Sequence, residues 1–233
     1  METQPQGPGF IVWLTGMNRA GKSTLATYVA TRLTGAGLRV ELLDEDGPAK
    51  ILLEGLGTTK EDHAKVVARL GLVARAVMRA GGVAVCAALS PYREAREALR
   101  REARRIVEVF VDCGMEELQR RDASGLYRKA LAGEVQNVPG VDVPYEPPAR
   151  AEVTVHTDQL PVAEAALRVF QALVDNRYIA PADFGRITGG QRPKRGRPSG
   201  RGGARRGGPA RAAARKAPRK PTLRGAKAAK RRR

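Results

Sequence analysis

An α/β domain built on a parallel sheet of five strands, with helices on both faces, is the fold that the sequence predicts. Three observations predict it. Short apolar runs alternate with amphipathic stretches along residues 10–177, and helices between strands impose right-handed crossovers and parallel strands. Several of the runs are apolar at nearly every position, as in strands covered on both faces. A glycine-rich loop stands between the first run and the first amphipathic stretch.

Taken in order, Phe10–Leu14 reads as a buried strand and Lys22–Thr34 as a helix that Gly35 ends. Arg39–Leu43 is the second strand and runs into Asp44-Glu45-Asp46. A helix over Lys60–Arg79 leads through Gly81 to a third strand, Val83–Leu89. Tyr92–Arg104 is helical by spacing; its alternating Arg and Glu read as a solvated face with i,i+4 pairs. Ile106–Val111 is the fourth strand and Met115–Arg121 a short helix. Residues 122–148, rich in Gly and Pro, read as a long loop, and a loop of that length over such a domain acts as a lid that excludes water. Glu152–His156 closes the sheet, and Pro161–Asn176 opens with proline in its first turn.

The loop Gly16-Met17-Asn18-Arg19-Ala20-Gly21-Lys22-Ser23 fits G-x-x-x-x-G-K-[ST] and has the strand before it and helix after it that the motif requires. Its amides, continued into the helix by Thr24, make a concave anion site. Lys22 reaches the β- and γ-phosphates of a nucleoside triphosphate, and the Ser23 hydroxyl ligates Mg²⁺. ATP and Mg²⁺ are therefore the expected cofactors. The carboxylates after the second strand lie where ligands bind in parallel sheets. Asp44 there can accept a proton from an attacking hydroxyl or hold a Mg²⁺-bound water. The plainer alternative is an acidic turn that caps the next helix.

Composition divides the chain. Of its 42 Lys and Arg residues, 18 lie in residues 191–233, which hold no Asp or Glu; the remaining 24 balance the chain's 24 acidic residues. A neutral body over 10–180, after a flexible segment 1–9, thus carries a basic tail over 185–233 that is too poor in large apolar residues to form a core. Within it, Arg195-Gly196-Arg197-Pro198 resembles an AT-hook, with glycine permitting close approach and arginines suited to a narrow minor groove. DNA or another polyanion is the partner this implies. Cys86 and Cys113 lack metal-ligand spacing and read as small core residues in a reducing compartment. No apolar run approaches a membrane span, so the expected location is cytoplasmic, with nucleoid association through the tail.

Beyond the loop, Leu43-Asp44-x-Asp46, Ser90-Pro91-Tyr92-Arg93-x-x-Arg96, Gly125-Leu126-Tyr127-Arg128-Lys129 and Pro144-Tyr145-Glu146 follow in order. With them the chain resembles the adenylylsulfate kinases over roughly residues 8–160. The resemblance implies a nucleoside-kinase-like P-loop NTPase that moves the ATP γ-phosphate to the 3′-hydroxyl of adenosine 5′-phosphosulfate in sulfate assimilation, commonly as a dimer. It implies Asp44 as catalytic carboxylate and Ser90 at a phosphoserine position. It also implies Asp46, Arg93 and Arg96 at the acceptor, and Arg121 and Lys129 from the lid on the triphosphate. The family's Asp-Gly-Asp-Asn is Asp44-Glu45-Asp46-Gly47 here, and further positions that the resemblance assigns to the acceptor are Ala49, Thr58, His63, Val66 and Val138. His63 reads as a partly exposed helix residue without a role, with a weak replacement cation as the alternative. Two rival readings stand beside this one: a P-loop kinase with another nucleotide or a nucleic acid end as acceptor, and a nucleoid-associated protein with a nucleotide-binding module.

Overall fold

The computed structural model describes residues 8–190; the basic stretch with Arg195-Gly196-Arg197-Pro198 lies outside the described residues. Five strands form one parallel sheet in the order β2-β3-β1-β4-β5: β1 Phe10–Thr15, β2 Val40–Asp44, β3 Val83–Ala87, β4 Ile106–Asp112 and β5 Val153–His156. The helices are α1 Lys22–Gly35, α2 Lys60–Arg79, α3 Arg93–Glu102, α4 Met115–Arg121, α5 Leu126–Leu131, α6 Val162–Asp175 and α7 Pro181–Thr188. The α/β class, the five strands and the three-layer arrangement follow the sequence expectation.

The two-residue period of the strands sorts their side chains into two cores. Phe10, Val12 and Leu14 of β1, with Val83 and Val85 of β3 and Val107, Val109 and Val111 of β4, face α1 and α6. Ile11 and Trp13 alternate to the other face, with Ala84 and Cys86, under α2 and α3. Both cysteines are buried thiols. Because β1 lies at the centre of the sheet, its loop opens at the carboxyl edge between the tips of β3 and β4.

Three elements escaped the sequence reading. A 3-10 turn covers Lys50–Leu53. The stretch read as a loop over 122–148 contains α5, whose Tyr127 is fully buried. That helix has six residues between Gly125 and Gly133, too few for a periodic signal. The third is α7. Residues 185–188, assigned to the tail on composition, complete this helix, so the body continues past 180 to Thr188. Ile187 is fully buried among α1 and α6 residues, and Arg32 Nε donates to its carbonyl at 2.6 Å. Among the described residues no helix is long and apolar enough to cross a membrane.

Truncating a buried isoleucine costs about 2–5 kcal/mol. The full chain carrying Ile187→Ala should therefore lose stability of that order in urea denaturation followed by circular dichroism. A negligible change would place α7 outside the cooperative body.

Candidate active site

The phosphate loop joins β1 to α1 and is held by its own backbone geometry. Gly16 passes so close to β4 that a Cβ there would collide with the Val111 carbonyl. Gly21 caps α1 in the left-handed region, at φ 95°, which only glycine adopts without strain. No side chain caps α1 and no acidic residue lies in its first turn, so its free N–H groups and the positive end of its dipole face the loop. Carbonyls that would repel an anion are engaged. Asn18 O accepts from Tyr127 Oη at 2.7 Å, Ala20 O from Thr157 Oγ1 at 2.7 Å, and Met17 O from Lys22 Nζ at 3.2 Å.

A cavity of about 400 Å³ opens on this loop, walled by Arg19, Gly21, Lys22, Ser23 and Thr24, by Asp46, and by Arg121. These were expected at the site, and the structure brings them together. Thr157, Leu160 and Val162 on the far wall were not. They follow β5, where no sequence pattern marks them. Arg121 is fixed edge-on to Thr157, donating to its hydroxyl at 3.1 Å and its carbonyl at 2.8 Å, while Glu117 accepts from its Nε at 2.7 Å. The cavity thus has polar lining at the loop and mixed lining at Arg121, Leu160 and Val162, suited to a phosphate chain and a base.

Asp44 sits at the tip of β2, buried, its Oδ1 accepting the Asp46 N–H at 3.1 Å. Glu45 follows, and one of its carboxylate oxygens lies 3.8 Å from Lys22 Nζ while accepting the Leu89 N–H. Burial, the largest effect, together with the neighbouring Asp46 raises its pKa to about 7 in spite of Lys22. Among the described residues no cluster of three or more His, Cys, Asp or Glu suited to a metal is present.

Four expected site residues stand elsewhere. Ser90 is buried, in the left-handed region at φ 36°. Its hydroxyl donates to Thr15 Oγ1 at 2.8 Å and accepts from Trp13 Nε1 at 3.2 Å. It presents no accessible nucleophile, so its catalytic assignment is corrected to a structural one. Arg96, expected at the acceptor, has a side chain only 3% exposed. Its guanidinium is spent on Glu108 Oε1 at 2.9 Å and on the Ser90 and Glu146 carbonyls. With Arg100, which binds Glu108 at 3.0 Å and Glu152 at 2.6 Å, it forms a network under α3, so that helix is not simply a solvated charged face. Arg93 and Lys129 are exposed and do not line the cavity. The segment read as a lid is anchored on the same network. Glu146 N donates to the Pro91 carbonyl at 2.9 Å, and Tyr145 Oη hydrogen-bonds Thr15 Oγ1 at 2.8 Å while its ring stacks on Phe110.

His63 is also corrected. It is buried against Tyr92, its ring centroid 6.0 Å away, and its Nε2 has no hydrogen-bond partner among the described residues. Burial holds its pKa below the ordinary value, so it is neutral near pH 7 and no substitute cation. Ala49, Val66 and Val138 are buried too and belong to the cores.

A parallel sheet with an open, uncapped phosphate loop, a buried loop lysine and a carboxylate at the tip of β2 defines a P-loop phosphotransferase. Residues 8–156 match the family described as adenylylsulphate kinase, and the chain belongs to that family. It is 41% identical over 173 residues to the adenylyl-sulfate kinase of Picosynechococcus sp., covering 74% of this chain and 98% of that protein. It is 43% identical over 171 residues to the adenylyl-sulfate kinase of a Synechococcus species, covering 73% and 98% respectively. Its fold is similar to the solved structure of the Mycobacterium tuberculosis APS kinase CysC in complex with AMPPNP and APS. That match has a TM-score of 0.66 and 32% identity, and it covers 71% of this chain and 98% of that one.

The placement of Ser90 has a consequence for a covalent relay. Ser90→Ala should retain turnover of the same order while losing about 1–3 kcal/mol of stability through its unmade hydrogen bonds. Abolished turnover in a folded variant, measured by ADP release, would restore Ser90 to the chemistry.

Proposed function

We propose that the protein transfers the γ-phosphoryl group of ATP to the 3′-hydroxyl of adenosine 5′-phosphosulfate, with Mg²⁺, in sulfate assimilation. The observation that carries this is the cavity that joins the uncapped end of α1, Lys22 and Ser23 to Asp46 and Arg121, with Asp44 hydrogen-bonded to the Asp46 N–H. The α1 amides and Lys22 hold the β- and γ-phosphates in line for attack, and Arg121 and Thr157 form the wall that orients the base. Ser23 and Asp44 would hold Mg²⁺, which would supply charge neutralisation on the triphosphate. Asp44 accepts the proton of the attacking hydroxyl as the oxygen–phosphorus bond forms. The segment 122–148, already packed against α3 and the loop, excludes water from the transfer.

One set of residues favours a second reading. Ala49, Val66 and Val138 put buried apolar groups, and His63 a neutral ring, where the resemblance places acceptor contacts. An acceptor that draws fewer polar contacts from those positions, such as another nucleotide or a nucleic acid end, fits them better. ADP release measured against a panel of acceptors separates the two, since turnover confined to other nucleotides selects the second. In either case Asp44→Asn should lower turnover about 10²–10⁴-fold and leave the binding of AMPPNP in place by calorimetry. Unchanged turnover would remove Asp44 from the chemistry.

The tail belongs to the same proposal as a separate activity: residues 191–233 bind DNA, with Arg195-Gly196-Arg197-Pro198 in the minor groove, and bring the kinase to the nucleoid. Its support is the 18 basic residues without an acidic one. The full chain should bind duplex DNA with log affinity falling by about 0.9 per neutralised phosphate against log salt, and a chain ending at Gly190 should lose that binding. Equal binding by the shortened chain would overturn it.

A further inference from the structure

The lysine of the phosphate loop is already engaged. Its ammonium donates to the Met17 carbonyl at 3.2 Å and stands 3.8 Å from Glu45 Oε1, with the side chain 5% exposed. Among the described residues Glu45 is the only carboxylate within 4 Å of that nitrogen. Glu45 is itself held at both ends. Its main-chain N–H donates to the Ala87 carbonyl at 3.0 Å, which continues the β2–β3 ladder past Asp44, and the same Oε1 accepts the Leu89 N–H. One carboxylate oxygen therefore links the loop ammonium to the turn that follows β3.

We propose that Glu45 is an internal competitor for Lys22, its carboxylate occupying the place at the ammonium that a phosphate oxygen takes when nucleotide binds. This rests on the reading of the loop as an ATP site. An ammonium has three donors, and Met17 and Glu45 face two of them. When both β- and γ-phosphate oxygens approach this ammonium, the one remaining donor does not serve them, so they displace the carboxylate. Once displaced, Glu45 does not swing into solvent, because the Leu89 N–H and the strand ladder keep it at the edge of the site. It then stands as a like charge beside the phosphates. Both effects oppose nucleotide binding, so the residue weakens the affinity for ATP. In return, the carboxylate keeps the buried ammonium paired in the empty site, where an unpaired charge would be costly. A glycine or alanine at position 45 makes neither contact.

Glu45→Gln tests this directly. The amide oxygen still accepts the Leu89 N–H, and only the charge is removed. Calorimetry of the full chain with Mg²⁺ and AMPPNP should show the variant binding about tenfold tighter or more, the size of shift that removing one charge near another produces in a site of intermediate dielectric. In steady state, KM for ATP should fall more than kcat changes, and the thermal stabilisation given by saturating AMPPNP should increase. Glu45→Ala, which removes both contacts, should also bind tighter and covers the case in which the glutamine variant misfolds. Equal or weaker AMPPNP binding by the folded variants would overturn the competitor role while leaving the ATP site standing. No AMPPNP binding by the wild-type chain would overturn the ATP reading and this inference with it.

Discussion

The open amino end of α1 is the feature on which the rest of the molecule depends. A helix leaves its first N–H groups without partners, and a protein ordinarily satisfies them with a capping side chain. Here Gly21 caps α1 without one. The surrounding architecture sustains that open end. The loop is pressed against β4 at Gly16, Tyr127 and Thr157 hold its carbonyls, and α6 and α7 brace α1 from behind. The unsatisfied donors are thereby aimed into a cavity rather than filled by the chain. The missing hydrogen bonds constitute the binding site.

A second constraint is ionic and lies under α3. Arg96, Arg100, Glu108 and Glu152 are joined by charge-assisted hydrogen bonds of 2.6–3.0 Å. Arg96 is almost fully buried, so its pairing offsets a desolvation cost rather than adding much net stability. What the network supplies is position. Arg96 clasps the Ser90 and Glu146 carbonyls together, which ties the turn after β3 to the segment that covers the site. Thr15, Ser90 and Tyr145 continue the tie through hydroxyl contacts at 2.8 Å. Arg96, which the family resemblance implies at the acceptor, thus stands one layer further back and ties the covering segment together through backbone carbonyls.

The electrostatics of the site follow from this packing. Two carboxylates, Asp44 at the end of β2 and Glu45 just after it, meet different environments. Asp44 turns its oxygen to the Asp46 N–H, whereas Glu45 lies against Lys22 and accepts the Leu89 N–H. The positive potential of the loop is therefore partly balanced before any ligand arrives. The body is formally neutral, and the chain's excess of positive charge lies in residues 191–233, apart from this site in the sequence.

Much of this was legible in the amino-acid sequence, because it rests on short-range rules. Period-two and period-3.6 patterns place all five strands and five of the helices, and strand–glycine loop–helix order places Lys22 and Ser23 at a phosphate site. Local pattern could not show where long side chains end. Arg96 and Ser90 carry the same motif whether they face solvent, substrate or core, and only β4 packing under α3 turned them inward. Nor could it show α5 and α7. One is too short for periodicity, and the other's composition merges into the basic tail, while burial of Tyr127 and Ile187 depends on residues more than a hundred positions away. The sequence determined the sheet, the loop and the donor chemistry. The tertiary structure decided which charges meet, because burial and pairing depend on neighbours that are distant along the chain.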